Sequence, residues 1–389
     1  MGSSDTMDAV IFKAPWKMAT EKRPIPKIIE PTDALVKVSV AGICGSDLHF
    51  YRGHQKMEPD CICGHEFVGH VQEVGSSVKN FKVGQKVVCT FTITCMECWF
   101  CVHGYTNRCI RGKSFGSLGF DGGQAEYVRV PFADGTLQPA PTTVDDELLI
   151  MMCDIFPTGY YGAARAIQYF ESQARELEGI NSNAAKQSQS HSQSQPQSQQ
   201  QAVAVSFEIQ TLQDCVFVCL GCGPVGLCSI LTCLTKQVGK VFAVDAVDDR
   251  LAEAEKWGAI PLKLGRDDIK GKILEATDGR GADAVIELVG NAAALKSAFE
   301  FVRPAGCISS IGFHQGEVPF TAFEAYAKNL NINMGRAPAR RVFNDALDVL
   351  VANSDKVREF VTHKLPISEA AKGYEIFEKQ LARKVVLVF

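Results

Sequence analysis

The stretch Cys215-Val216-Phe217-Val218-Cys219-Leu220 runs directly into Gly221-Cys222-Gly223-Pro224-Val225-Gly226. An apolar run of strand length, then Gly-x-Gly-x-x-Gly, then the apolar segment Gly226 to Thr235, has the strand–turn–helix form of a dinucleotide-binding turn. Each glycine has a job. Gly221 makes the turn, Gly223 lets backbone approach a pyrophosphate, and Gly226 lets the helix pack closely on the strand. Pro224 and Val225 open the helix, whose free N–H groups and partial positive charge face the phosphates. A second strand, Val241 to Asp245, ends 19 residues past Gly226. An acidic side chain there accepts hydrogen bonds from a ribose hydroxyl pair and repels a 2′-phosphate, which favours NAD over NADP. Arg250 lies close enough to complicate that preference, since it can help hold an adenosine phosphate.

Outward from this turn the chain keeps alternating. Arg250 to Trp257 reads as a helix, and Ala284 to Leu288 and Cys307 to Ile311 read as strands. Strands alternating with helices predict a doubly wound parallel sheet, the Rossmann form of the α/β class. Upstream the character changes. Residues 8–155 hold short Val-rich runs (Ala34 to Val40, Phe67 to Val74, Lys86 to Phe91) separated by Gly- and Pro-containing turns, as in a compact β-rich domain. The reading divides the chain into residues 8–155, a coenzyme domain at 156–332, and a C-terminal return at 333–389 that ends in a strand beginning near Lys384.

One segment breaks the pattern. Of the fifteen residues Gln187 to Gln201, eight are Gln and five are Ser. Such a tract offers no apolar surface to offset its ordering entropy, so residues 178–205 are expected to be an unstructured insertion within the coenzyme domain.

Composition limits the partners. Of 389 residues, 40 are Lys or Arg and 44 are Asp or Glu, for a net charge of −4. No basic excess exists to neutralise phosphodiesters, which argues against nucleic acid as a main partner. The longest uncharged stretch, between Asp214 and Lys236, is interrupted by four Gly and Pro residues and reads as buried strand and helix rather than a membrane span. Met1 to Val10 lacks the basic start and apolar run of a secretory signal. The cytoplasm is therefore expected, and the fifteen cysteines are expected to be thiols or metal ligands rather than disulfides.

Four of those cysteines cluster. Cys95-x2-Cys98-x2-Cys101-x7-Cys109 offers four sulfurs at the spacing of a closed, tetrahedral structural zinc site. Iron–sulfur ligation or paired disulfides use the same residues, but no other electron-transfer feature accompanies them. A second constellation is dispersed: Gly42-Ile43-Cys44-Gly45-Ser46-Asp47-Leu48-His49, then Gly64-His65-Glu66, then Cys153-Asp154-Ile155-Phe156-Pro157-Thr158. A thiolate, an imidazole and a third ligand with one open position make a catalytic zinc, but spacing alone does not connect the three segments.

In this order, the Cys44 segment, the Gly64-His65-Glu66 triplet, the four-cysteine lobe and the glycine turn resemble the zinc-dependent medium-chain alcohol dehydrogenases. The resemblance spans almost the whole chain except the Gln/Ser tract. It implies a GroES-like catalytic domain plus a Rossmann coenzyme domain, two zinc ions per subunit, NAD, a small alcohol or carbonyl substrate, and a homodimer or homotetramer. Cys44 and His65 resemble two catalytic zinc ligands. Asp154 resembles the third, with its neighbour Cys153 the competing candidate. Glu66 resembles the second carboxylate near the metal, and Asp47 the partner that orients His65. Ser46 resembles the hydroxyl that bonds the substrate oxygen, His49 the outer end of a proton relay, and Lys384 a basic pyrophosphate contact. The stretch 120–127 (Phe-Asp-Gly-Gly-Gln-Ala-Glu-Tyr), with Ala133-Asp134-Gly135, is similar to the glutathione-independent formaldehyde dehydrogenase branch. Two other readings stay open at this point: a zinc-free quinone or enoyl reductase, and a non-catalytic NAD-binding relative.

Overall fold

The computed structural model describes residues 5–191 and 206–389, without the side chains of 187–191. The described residues form fifteen strands: β1 (Thr6–Ala14), β2 (Lys17–Pro24), β3 (Ala34–Ile43), β4 (Phe67–Val74), β5 (Lys86–Cys89), β6 (Tyr127–Val130), β7 (Leu137–Pro139), β8 (Val216–Leu220), β9 (Lys240–Asp245), β10 (Ile260–Lys263), β11 (Ala282–Glu287), β12 (Val302–Ser310), β13 (Asn331–Met334), β14 (Val361–Pro366) and β15 (Lys384–Val388). They divide between two compact units. One comprises Met1–Tyr161, Gly223–Cys228 and Arg336–Phe389, the other Gly162–Cys222 and Ser229–Gly335.

The first unit is β-rich. A seven-stranded sheet runs β14-β15-β3-β4-β5-β7, with β6 also on β3, and β1-β2 form a separate hairpin. Alternation of apolar residues puts Val36, Val38, Phe67, Val71, Val87, Val128 and Leu137 into one buried core, as strands with one buried face require. Two pairings matter for function. β3 delivers Cys44 at its end, and β15 pairs antiparallel to β3 with Val385 opposite Ile43. Lys384, from the far end of the sequence, therefore lies beside Cys44.

The second unit holds a six-stranded parallel sheet in the order β10-β9-β8-β11-β12-β13. Its central strand β8 is buried along its whole length, which is why it reads as a continuous apolar run rather than an alternating one. Val216, Val218, Phe242, Val244, Val285 and Ile308 share its core with Leu295 and Phe301 of the helix Ala292–Phe301. This is the doubly wound α/β fold expected.

One expectation is corrected. The helix that begins at Ile155 continues to His191, so residues 178–191 of the insertion are helical. Propagating an existing helix fixes one residue per hydrogen bond and skips the costly nucleus, and Ala184, Ala185 and Lys186 are good helix formers. Asn181 also donates to the carbonyl of Phe207 at 2.8 Å and accepts from its N–H at 2.9 Å, joining the two arms of the insertion. Residues 192–205 lie outside the described residues. All fifteen cysteines are free of disulfides, and among the described residues no helix is long and apolar enough to cross a membrane.

Candidate active site and metal centres

Cys44 caps the helix Gly45–Tyr51. Its backbone N–H donates to Asp47 Oδ2 at 2.9 Å, a reciprocal capping arrangement that fixes the turn. The other oxygen of Asp47 lies 3.3 Å from His65 Nδ1. One carboxylate thus orients both the Cys44 backbone and the His65 ring, leaving Nε2 to face the site. Asp154 sits at the start of the helix Ile155–His191, where Thr158 Oγ1 donates to its Oδ1 at 2.8 Å. Its Oδ2 lies 3.5 Å from His65 Nε2 and 3.9 Å from Cys44 Sγ. Ligand atoms of Cys44, His65, Glu66 and Asp154 all fall within 4.8 Å of one another. Cys153 points elsewhere: its thiol donates to the carbonyl of Phe67 at 3.3 Å.

The donor set suits a cation. Burial disfavours a charged His65, yet Asp47, Cys44 and Asp154 outweigh it and hold the imidazole well above the ordinary histidine range. Burial likewise opposes charge on Asp154, but His65 and Thr158 keep its carboxyl below the usual value. Glu66 Oε1 is buried with no hydrogen-bond partner. A sulfur, an imidazole nitrogen and a carboxylate converging beside an orphaned carboxylate oxygen are what a zinc ion binds.

Lys384, for which the resemblance implies a basic pyrophosphate contact, is instead placed against the site's second carboxylate. It is 1 % exposed, and its Nζ donates to Glu66 Oε2. Burial opposes the charge, but Glu66 and Cys44 raise the ammonium above its ordinary value. The structure thus spends this charge on the site's second carboxylate. Gly42 makes the pairing possible, since a Cβ there would collide with Glu66 Oε2 and lie 3.0 Å from Lys384 Nζ.

Ser46, three residues before His49 on the same short helix, shares a helix face with it. Ser46 Oγ is 3.4 Å from His65 Nε2 and exposed. Burial, then the charges of Arg52 and His54, hold the half-buried His49 below the ordinary histidine value. Behind Asp47 lies a layer that sequence reasoning missed. Gln124 Nε2 donates to the carbonyl of Gly42 at 3.0 Å and reaches Asp47 Oδ2 at 3.5 Å, while Tyr374 Oη donates to Gln124 Oε1 at 2.9 Å. Thr158, four residues after Asp154 at a helix start, carried a readable signal. Gln124 and Tyr374, 250 residues apart, did not.

The four-cysteine lobe is a separate cluster. The sulfurs of Cys95, Cys98, Cys101 and Cys109 lie within 4.8 Å of one another, against about 3.8 Å between the corners of a Zn–S4 tetrahedron. Backbone N–H groups aim at them: Cys98 donates to Cys95 Sγ and Cys95 to Cys109 Sγ, both at 3.4 Å. Backbone donors from Ile110 and Cys101 draw the Cys98 thiol down to about 6, the direction a thiolate ligand needs, while burial pushes Cys101 up to about 12 and raises Cys109.

The glycine turn keeps the expected form. Gly221 has φ +92°, and a Cβ there would lie 2.8 Å from Val289 Cγ2, so both conformation and close approach select glycine. The helix begins at Pro224, where the missing N–H costs nothing. Asp245 ends β9. Its Oδ2 accepts from Cys222 N at 2.7 Å, and its Oδ1 from Val247 N at 2.9 Å. Arg250 Nη1 lies 3.5 Å from the same carboxylate. Asp245 is buried and braces the turn through both of its oxygens.

Comparison with known proteins agrees with this geometry. Residues 30–141 match the family described as "Alcohol dehydrogenase GroES-like domain" and residues 224–352 the family described as "Zinc-binding dehydrogenase". The chain is 40% identical over 388 residues to zinc-type alcohol dehydrogenase B of Aspergillus flavus, covering 99% of this chain and 82% of that one. It is 43% identical over 327 residues to the medium chain reductase/dehydrogenase ucsI of an Acremonium species, covering 83% and 99%. Among solved structures, alcohol dehydrogenase TADH from Thermus sp. ATN1 superposes with a TM-score of 0.83 at 32% identity, covering 98% of this chain and 99% of that one. The chain belongs to the zinc-dependent medium-chain alcohol dehydrogenase family. That membership makes it an oxidoreductase, with a GroES-like domain and a Rossmann-type domain.

Proposed function

We propose that the protein is an NAD-dependent alcohol dehydrogenase that interconverts a small alcohol and its aldehyde or ketone. The observation that carries this reading is the convergence of Cys44, His65 and Asp154 beside the hydroxyl of Ser46. Those three residues would hold a catalytic zinc, with Glu66 beside it, and the Cys95, Cys98, Cys101 and Cys109 lobe would hold a structural one. When bound, the metal supplies Lewis acidity and the nicotinamide supplies a hydride acceptor.

The chain's own residues do the rest. Asp47 fixes the His65 ring, and Thr158 fixes the Asp154 carboxylate. Ser46 Oγ accepts the proton lost by the substrate hydroxyl and passes its own toward His49. The imidazole of His49 is suited to receive it, because burial first and then the charge of Arg52 lower it below the ordinary histidine value and favour its neutral, proton-accepting form. Burial pushes the Glu66 carboxyl above its ordinary value and Lys384 opposes that rise, so the lysine favours a carboxylate beside the site. Gly221, Gly223 and Gly226, with the helix opened by Pro224 and Val225, would cradle the pyrophosphate. Asp245 would take the adenosine ribose hydroxyls and disfavour NADP, with Arg250 holding the carboxylate from the solvent side. A cytoplasmic homodimer or homotetramer completes the reading.

The test is NADH formation by zinc-replete protein across primary, secondary and diol alcohols and hydrated formaldehyde, with and without a chelator. The reading requires turnover that the chelator removes. Chelator-insensitive turnover, or none with every alcohol despite bound NAD, would contradict it.

A further inference from the structure

We propose that His314 is a positioning residue for the nicotinamide riboside half of the dinucleotide, acting through the buried carboxylate of Glu287. This rests on the dinucleotide reading above. In the sheet order β10-β9-β8-β11-β12-β13 the chain reverses direction across the sheet at β8. The crevice at such a point lies between the carboxyl ends of β8 and β11 and takes the ligand. Asp245 ends β9 on one side of β8, and Gly221 follows β8 itself. With the adenosine ribose read at Asp245 and the pyrophosphate at the turn, the other half of the ligand falls over the loops that follow β11 and β12.

Those two loops are joined by one side chain. Glu287, the last residue of β11, is fully buried. Its Oε1 accepts from Val289 N at 2.8 Å and Gly290 N at 2.7 Å. Its Oε2 accepts from Ser310 Oγ, the last residue of β12, at 2.8 Å, and lies 2.7 Å from His314 Nε2. Ser310 Oγ is also 3.0 Å from His314 Nε2. The short contact to a carboxylate oxygen assigns the ring to the tautomer whose Nε2–H donates to Glu287. The clasp reaches the glycine turn directly. Leu288 N donates to the carbonyl of Leu220 at 3.0 Å, and Val289 Cγ2 occupies the space beside Gly221. Val289, Gly290 and Ser310 sit on or next to strand ends. His314 lies four residues past β12, and its ring ties the far end of that loop to β11.

Removing the ring should loosen the 311–314 loop and leave the adenosine side intact. The experiment titrates wild type, His314→Ala and His314→Gln with NADH by fluorescence, and with AMP by competition against NADH. No turnover is needed. His314→Ala should bind NADH about tenfold more weakly, the loss expected for one charge-assisted hydrogen bond, with AMP within about twofold. His314→Gln, which keeps a side-chain N–H donor, should recover most of the loss. Equal NADH affinity in all three proteins overturns the proposal. So does an equal loss for AMP and NADH together with a lowered thermal midpoint, which marks general damage. Wild type that binds neither ligand would overturn the dinucleotide reading and this proposal with it.

Discussion

The two cysteine-bearing clusters of the first unit make an instructive pair. The Cys95–Cys109 lobe draws four like ligands from fifteen consecutive residues, with backbone N–H groups aimed at its sulfurs. The Cys44–His65–Asp154 cluster draws unlike ligands from three segments across 110 residues. It adds a carboxylate with one orphaned oxygen and a lysine from the C-terminal strand. The first is closed and chemically uniform, the form of a staple. The second has mixed donors, a hydroxyl at its edge and surplus negative charge, the form of a site that works on a ligand. What separates structural from catalytic use is therefore the company the ligands keep.

Four perturbations sharpen that contrast. The largest effect should come from Cys44→Ser or His65→Ala. Turnover should fall about 1,000-fold, equivalent to about 4 kcal/mol of barrier, while the lobe keeps its metal; steady-state kinetics with metal analysis checks this. Next, Lys384→Met strands Glu66 as a buried, unpaired carboxylate and should cost about 3 kcal/mol of stability by denaturant unfolding. Adding Glu66→Gln should recover much of that loss. Third, Cys101→Ser should empty the lobe and lower the thermal midpoint by about 5 °C, with kcat of the folded enzyme within about threefold of wild type. The smallest effect belongs to His49→Gln, with kcat down about tenfold. The sign of the pH dependence follows from the lowered pKa of His49. The neutral, proton-accepting form persists to a pH below the ordinary histidine value of about 6.5, so wild-type rate should fall only below that pH. The variant should lack that acid limb in a kcat–pH profile.

How much of this was legible in sequence follows the same division. The glycine turn and the lobe are local in the chain, so spacing sufficed to read them. Spacing could not join Cys44, His65 and Asp154; only resemblance to a known family did. The resemblance implies a pyrophosphate contact for Lys384, because nothing in the sequence shows that β15 pairs with β3 at Ile43. Gln124 behind Asp47, and His314 on Glu287, are likewise products of tertiary pairing, and each residue alone looks ordinary. The insertion misled in the opposite way. Its composition signals poor packing, which is not the same as an inability to extend a helix already begun at Ile155.

The central claim is that the two clusters hold metal for different purposes. Its most direct test is the zinc content of purified wild type, Cys44→Ser and Cys101→Ser, with NADH formation measured on the same samples. The account predicts two zinc ions per chain in wild type and one in each variant, with chelator-sensitive turnover surviving only in Cys101→Ser. Undiminished turnover in Cys44→Ser, or turnover that disappears with the lobe's metal while the fold persists, would contradict it.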